Sequence, residues 1–483
     1  MDRRTKIVAT VGPASESPET LRALIDAGMD FARLSLAHGP LELTLERLRR
    51  IRSAADGAGR FVGVLADLPG PKIRAGEFPG GGVHLAEGSP VDLAPGEPGE
   101  ASSDERISID HPTLVDDLRA GDRVALGDGA IQLEVVEIDT AGGRARARVR
   151  AGGWAQGRPG VVLPPGTLTI SSPTADDLRL LDALVDAGVD ALALSFVRAP
   201  GDVVKAREAA GHDGPMIVAK IETQEAVDAL DEIIAVADGV MVARGDLGTR
   251  CALEDVPHYQ KRIIRSGVAF GRPVITATQM LESMVRAPTP TRAEVSDIAT
   301  AVFDGTSALM LSGETAIGRD PVAAVATMAR IATRAEREFD YEGWGRNLGR
   351  QQTVEAHGAP APVRITAAIS AAAWRAAADA EVVAIVACTD SGRTARAISR
   401  FRPTVPVLGV TPSTRTARQL AMAWGVTPLQ AGHHGTTDDI VWFAVQEAAA
   451  RGFVRAGDLV AVLVGSPTHP VPATDTLLLV RAE

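Results

Sequence analysis

The sequence predicts an α/β protein: a closed (β/α)8 barrel, interrupted by an inserted β-rich lid domain and followed by a smaller C-terminal α/β domain. Two observations carry the barrel. Eight apolar, strand-like runs recur with helix-period segments between them, the count that a closed barrel needs. Polar residues fall consistently at the last positions of those runs, the carboxyl ends where barrel sites gather. A third observation carries the lid: between the third and fourth runs the sequence becomes rich in Gly and Pro, with short alternating segments.

The first run is KIVATVG at 6–12, and no apolar signal core precedes it. DFARLSLAH at 30–38 brings Arg33 and Ser35, and RFVGVLADL at 60–68 brings Asp67. DRVALGD, AIQLEVVEI and RARARVR then read as hairpin strands, and residues 71–171 are assigned to the lid inserted in one barrel loop. The barrel takes 1–70 and 172–340. Its remaining runs are DALALSF at 190–196 with Ser195, MIVAKIE with Lys220 and Glu222, and GVMVARGD with Gly245 and Asp246. PVITATQM at 273–280 adds Thr278, and SALMLSGE at 307–314 adds Ser312 and Glu314. GWGRNLGRQQTVEAHGAPAP, after about residue 340, reads as a polar linker broken by Gly and Pro. EVVAIVA, PVLGVT and DLVAVLV alternate with helical stretches beyond it, so 341–483 is the C-terminal domain.

Composition narrows the function. A chain of 483 residues has material for about three domains with large cores. A net charge of −11 and only 4% aromatic residues argue against a nucleic-acid partner. No run approaches the length of a membrane span. Two distant cysteines, Cys251 and Cys388, suggest neither a zinc cluster nor a disulfide framework, so a reducing, cytoplasmic home is expected.

The segment from Met216 to Leu247 concentrates the chemistry. Two strand-like runs joined by a helical segment form a βαβ unit, which brings Lys220, Glu222, Gly245 and Asp246 to neighbouring strand ends. Two hard carboxylates beside an ammonium and a glycine suit magnesium-assisted phosphoryl transfer. Either carboxylate alone would read more simply as a strand-end salt bridge; the combination favours a site.

RRTKIVATVGPAS at 3–15, the AKIET and MVARGDLG segments, and the long run at 275–316 from ITATQM to LSGETA resemble the pyruvate kinase family. The resemblance spans essentially the whole chain. It implies a Mg2+ (or Mn2+) enzyme that transfers the phosphoryl group of phosphoenolpyruvate to ADP, giving pyruvate and ATP, and it implies a homotetramer. On the matching positions, Arg33 and Lys220 hold the transferring phosphoryl group, and Glu222 and Asp246 bind the divalent ion. Gly245 lets backbone N–H groups approach the substrate carboxylate, and Ser195 joins the substrate-binding set. Thr278 lies beside the carbon that is protonated, as relay or positioning group, while Ser312 and Glu314 complete a proton path. Arg74 and Arg158 match lid cations near the nucleotide, with Pro13 and His38 on the nucleotide surface.

One coherent departure from the family pattern stands out. Where many members carry oxygen ligands for potassium, this chain reads Ser35-Leu36-Ala37-His38 and Asp67-Leu68-Pro69-Gly70-Pro71-Lys72. Ala37 and Leu68 offer no side-chain oxygen, leaving Ser35 and Asp67 in a degenerate cation site. Lys72 stands where a glutamate is usual, resembling the potassium-independent branch in which a tethered ammonium replaces the ion. The rival reading is a weakly active paralogue that binds a phospho-metabolite as a regulatory protein. In the last domain, Thr389, Ser391, Gly392, Arg393 and Thr394 match the family's effector loop, which implies a phosphorylated allosteric effector; Ser391 or Thr394 capping a helix is the alternative.

Overall fold

The computed structural model describes residues 3–37, 39–71, 73–97, 99–127, 129–164, 172–211, 213–355, 360–465 and 473–482. Eight parallel strands close into a TIM barrel: Lys6–Thr10, Phe31–Ser35, Gly63–Asp67, Ala191–Leu194, Met216–Ile221, Gly239–Ala243, Val274–Ala277 and Ala308–Leu311. The first strand pairs with both the second and the eighth, which completes the closure. Every run expected from the sequence supplies one of these strands. Each reads as continuous apolar sequence because both of its faces are covered. Val8, Phe31, Leu65, Ala193, Val218, Met241, Ile275 and Met310 fill the interior, while alternate residues such as Ile7, Val64 and Val240 pack outward under the helices. Gly63 makes room for this packing, since a Cβ there would fall 2.0 Å from the Phe31 ring.

Between the third strand and the helix Ala175–Asp186 lies a β-rich insertion. Its six-stranded sheet runs in the order Val161–Val162, Arg123–Leu126, Ile131–Asp139, Arg144–Ala151, Pro90–Pro95, Arg106–Ile109. Phe78–Leu85 and Gly153–Gly157 form a separate ribbon. The strand Arg144–Ala151 shows why alternation was legible: Ala145, Ala147 and Val149 enter the core, while Arg146 and Arg150 point out to Glu137 and Glu134 at 3.0 and 2.8 Å.

The C-terminal sheet has the order Val426–Gln430, Val407–Thr411, Ala384–Cys388, Leu459–Val464, Thr476–Arg481, with only the last strand antiparallel. The linker expected after about residue 340 is instead a helix, Tyr341–Glu355, followed by the helix Ala361–Asp379. Gly345 serves close packing rather than flexibility. A Cβ on Gly345 would lie 2.3 Å from the Trp374 ring, and Gly305 is closed in the same way by Trp344. Asp340 caps the turn by accepting from Gly343 N at 2.8 Å.

These helices and the C-terminal domain cover the amino end of the barrel. Met422 is fully buried among the barrel's interior side chains. Lys6 Nζ donates to the Val426 carbonyl at 2.8 Å, Trp344 Nε1 to Arg400 O at 2.8 Å, and Arg402 Nη2 to Gly305 O at 2.6 Å. Arg402 is 1% exposed and lies 4.5 Å over the Trp424 ring; burial pushes its guanidinium down to about 9. With that end sealed, the barrel interior opens only at its carboxyl end, where barrel sites gather. No helix among the described residues is long and apolar enough to cross a membrane.

Asp30 ties this sealed end together. It accepts from Ile7 N at 2.9 Å and pairs with Arg3 at 2.8 Å. Burial raises its carboxyl, but Arg3, Lys6 and the Ile7 N–H outweigh burial and hold it below its ordinary 3.8. A depressed carboxyl stabilises the fold above the unfolded value and loses that contribution as pH falls through the folded value. Asp30→Asn is therefore expected to cost about 3 kcal/mol at pH 7 and progressively less as the pH is lowered beneath the ordinary carboxyl value of 3.8, read from denaturant midpoints across that range.

Candidate active site

Strand periodicity builds the site. Inward positions alternate, so the residue two beyond the last apolar inward side chain is the first to meet the open end. After Val8, Phe31, Leu65, Ala193, Val218 and Met310, that step gives Thr10, Arg33, Asp67, Ser195, Lys220 and Ser312. An apolar barrel is thus topped by a polar layer.

Asp67 is the hub of the layer and is 4% exposed. Arg33 Nε donates to Asp67 Oδ2 at 2.7 Å, and Arg33 Nη1 donates to Thr10 Oγ1 at 3.1 Å. Lys220 Nζ lies 3.5 Å from Asp67 Oδ1 and 3.3 Å from Glu222 Oε2, and donates to Ser195 Oγ at 2.7 Å. Ser195 passes its own proton to the Leu68 carbonyl at 2.7 Å.

The charges are strongly coupled. Burial raises the Asp67 carboxyl, but Lys220 and Arg33 reverse that and hold it below its ordinary value. Burial likewise disfavours the Lys220 ammonium, yet Asp67, Glu222 and Asp246 outweigh it and raise its pKa. Glu222 goes the other way. Complete burial pushes its carboxyl up to about 7, Lys220 opposes this, and Asp246 adds to it. Lys220 alone does not neutralise the pair Glu222 and Asp246.

Glu222 accepts a hydrogen bond through one oxygen only. Its Oε1 accepts from Phe196 N at 2.6 Å, whereas the buried Oε2 is ion-paired with Lys220 at 3.3 Å but accepts no hydrogen bond. No hydrogen bond or ion pair engages the Asp246 carboxylate among the described residues. A buried carboxylate oxygen that accepts no hydrogen bond, next to a second carboxylate, fits a small hard cation. Among the described residues no three His, Cys, Asp or Glu side chains converge to hold a metal.

Thr278 and its neighbours form the opposite wall. Thr278 Oγ1 accepts from Gly245 N at 2.9 Å and donates to Ala277 O at 2.7 Å. Phe196, Thr278 and Gln279 have φ of 58°, 67° and 55°, so the exits of the fourth and seventh strands carry backbone strain beside the carboxylates. Arg244 maintains it, donating to Ala277 O at 3.1 Å and Thr278 O at 2.6 Å while pairing with Asp297 at 2.7 Å. Glu314 is fully buried, and both of its oxygens are spent on backbone: Leu281 N at 3.0 Å and Ser312 N at 2.7 Å. It braces the exits of the last two strands. Ser312 precedes the short helix Gly313–Ala316 but makes no side-chain cap bond.

Thr10, Phe196 and Arg244 were not singled out from sequence. Counting inward positions would have found Thr10. Arg244 and Phe196 act through backbone geometry that has no sequence period.

Other expected site residues lie elsewhere. Ser35 is half-buried and sits across from Asp67 in the strand register, while Pro13 is exposed in the loop after the first strand. Arg74 and Arg158 meet at the base of the insertion, where Arg74 Nη1 donates to Arg158 O at 3.2 Å and Arg158 Nη2 stands 3.7 Å from Asp110. Neither contacts the carboxylate layer. His38 and Lys72 lie outside the described residues. Thr389, Ser391, Arg393 and Thr394 line a cavity of about 750 Å³ at the sealed end of the barrel, far from the carboxylates. Gly392 turns the loop with φ 77°, and Thr394 Oγ1 bonds Thr474 Oγ1 at 2.8 Å rather than capping a helix.

Comparison with known proteins accounts for both folded parts. Residues 2–325 match the model described as pyruvate kinase, barrel domain, and residues 367–480 match pyruvate kinase, alpha/beta domain. The chain belongs to the pyruvate kinase family. The pyruvate kinase of Geobacillus stearothermophilus is 42% identical over 99% of this chain and 80% of its own. The pyruvate kinases of Methylorubrum extorquens and Clostridium acetobutylicum are 41% and 40% identical, over 96% and 99% of this chain and 94% and 99% of theirs. Pyruvate kinases are phosphotransferases of glycolysis, and this chain is an enzyme of that class.

The brace supplied by Glu314 is testable by itself. Glu314→Gln keeps one acceptor but turns an amide N–H toward one of the two backbone donors. The expected loss is about 2 kcal/mol, read as a lower urea midpoint with an unchanged slope.

Proposed function

We propose that the protein transfers the phosphoryl group of phosphoenolpyruvate to ADP with Mg2+ (or Mn2+), and that it does so without potassium. The observation that carries this reading is the buried Glu222 Oε2, which is ion-paired with Lys220 but accepts no hydrogen bond. Glu222 and Asp246 would hold the divalent ion, which when bound supplies positive charge to the substrate oxygens and neutralises the carboxylate pair.

The reaction breaks the bond between phosphorus and the enol oxygen, forms one to a terminal phosphate oxygen of ADP, and leaves an enolate that takes a proton at carbon. Positioning and charge neutralisation dominate such a transfer. Arg33 and Lys220 serve the phosphoryl group, and Asp67 sets both of them in place through the bonds described above. Ser195 fixes the Lys220 ammonium from the other side. Gly245 leaves the approach to its backbone open for the substrate carboxylate. The Thr278 hydroxyl has its proton committed to Ala277 O, so it positions the enolate carbon and relays a proton only after exchanging that bond. Ser312 completes the path through water, with Glu314 holding the Ser312 backbone rather than the proton. Arg74, Arg158, Pro13 and His38 belong to the nucleotide side.

Loss of potassium dependence follows from the departures in sequence. Ala37 and Leu68 bring no side-chain oxygen, and the Leu68 carbonyl is already taken by Ser195. The Lys72 ammonium supplies the charge in place of the ion. A cytoplasmic homotetramer regulated by a phosphorylated effector at residues 389–394 completes the reading, supported by family membership.

A coupled assay of pyruvate formation tests it. Turnover is expected to be equal within about twofold in sodium, potassium and tetramethylammonium salts; strong activation by potassium would refute the Lys72 assignment. Lys220→Met is expected to lower kcat about a thousandfold or more, measured on the folded fraction. A parent protein that binds phosphoenolpyruvate but fails to turn it over in any salt would instead be a phospho-metabolite-binding regulatory protein.

A further inference from the structure

Ser172 is 1% exposed and lies where the chain re-enters the barrel, just before the helix Ala175–Asp186. Its hydroxyl is not spent on that helix, which Thr174 caps by accepting from Asp177 N at 3.0 Å. Ser172 Oγ instead donates to Ser195 O at 2.6 Å, at the exit of the fourth barrel strand. That carbonyl belongs to the same peptide unit as the Phe196 N–H, which donates to Glu222 Oε1 at 2.6 Å. In a trans peptide the C=O and N–H point in opposite directions, so Ser172 and Glu222 grip one peptide from its two sides.

The peptide needs both holds. Phe196 has φ 58°, a strained conformation that persists only where the surroundings over-determine it. Turning the peptide over would aim the Ser195 carbonyl at the Glu222 carboxylate. Among the described residues the Phe196 N–H is the only hydrogen-bond donor to that carboxylate, which is fully buried. A hydrogen bond on the carbonyl also polarises the amide at the other end of the unit and strengthens what it donates. Ser172 is itself firmly placed. Pro173 O accepts from Lys205 Nζ at 3.1 Å, and the buried Asp177 accepts from Thr174 N at 2.9 Å and from Gly70 N at 3.1 Å. The outgoing and returning connections of the insertion are thus tied together next to the peptide that holds Glu222.

We propose that Ser172 is a positioning residue for the divalent ion, acting on Glu222 through the peptide between Ser195 and Phe196. The proposal rests on reading Glu222 as a ligand of that ion and adds a residue from outside the charged layer. The Ser172 hydroxyl fixes the direction of the N–H that aims the carboxylate. Removing it leaves Glu222 a less well aimed ligand, so ion affinity falls while the fold is retained.

Mn2+ binding to the full chain without substrate, read from the electron paramagnetic resonance of the free ion, tests this together with hydrogen exchange at the Phe196 amide. Ser172→Ala is expected to weaken Mn2+ binding about tenfold and to speed exchange of the Phe196 amide about tenfold. Ser172→Thr, which keeps the hydroxyl, is expected to stay near the parent in both. Thr174→Ala removes the helix cap but not the Ser172 bond, so it is expected to lower the urea midpoint and leave Mn2+ affinity unchanged. In a Glu222→Gln background, Ser172→Ala is expected to cost no further affinity. Parental Mn2+ affinity in Ser172→Ala overturns the proposal, as does an equal loss in Thr174→Ala or an undiminished loss in the Glu222→Gln background. A parent chain that binds no Mn2+ would refute the ion reading of Glu222. The exchange rate, measured without metal, then decides the link from Ser172, and an unchanged Phe196 rate overturns it.

Discussion

The rest of the site depends on one buried ammonium. Lys220 sits among Asp67, Glu222 and Ser195 at the open end of the barrel, and each of those groups is placed by a different strand exit. Bringing a lysine into that environment is costly unless carboxylates surround it, and three of them do so. The same carboxylates would be costly without it. Asp67 remains ionised because it faces both Lys220 and Arg33, whereas Glu222, which shares Lys220 with Asp246, is pushed toward the neutral form. The layer is therefore balanced for one more positive charge than the chain supplies.

Much of this was legible in the sequence because a barrel obeys two regular periods. Runs covered on both faces are continuously apolar, so all eight strands could be read, and the first polar inward residue of each run marks the site end. Lys220, Asp67 and Arg33 follow from that rule, and Glu222 is the next inward position beyond Lys220. What escaped has no period. The helix Tyr341–Glu355 was read as a linker because glycines at 343, 345 and 349 mimic flexible sequence; the Trp374 ring and the Asp340 cap account for Gly345 and Gly343, whereas a Cβ on Gly349 would meet open space. The last strand of the C-terminal sheet, Thr476–Arg481, is antiparallel and partly exposed, so its pattern is weaker. Glu314 was grouped with proton-path residues, although the structure spends both its oxygens on backbone, a geometry that spacing cannot reveal.

The two ends of the barrel divide the work. At the amino end, Arg4, Lys6, Arg400 and Arg402 donate across to or from the C-terminal domain, and Met422 plugs the interior. These contacts are to backbone carbonyls, which hold position without depending on the charge state of a partner. At the carboxyl end the contacts are between charged side chains, whose balance an added ion would shift. Rigidity is thus placed where the domains join, and adjustable charge at the open end.

The insertion meets this charge system at a single tight point. Gly70 has φ 66°, and a Cβ there would fall 2.8 Å from both the Phe196 ring and Ser195 Cβ, so only glycine lets the chain pass. Phe196 is itself strained at φ 58°, is covered by Arg250 4.8 Å above its ring, and uses its N–H to hold Glu222 Oε1. Ser195, on the other side of the same contact, holds Lys220. The segment leading out of the barrel into the insertion therefore rests directly on the two residues that orient the buried carboxylate and the buried ammonium. A side chain at residue 70 would displace both anchors at once, which makes the base of the insertion part of the electrostatic layer rather than a passive connection to it.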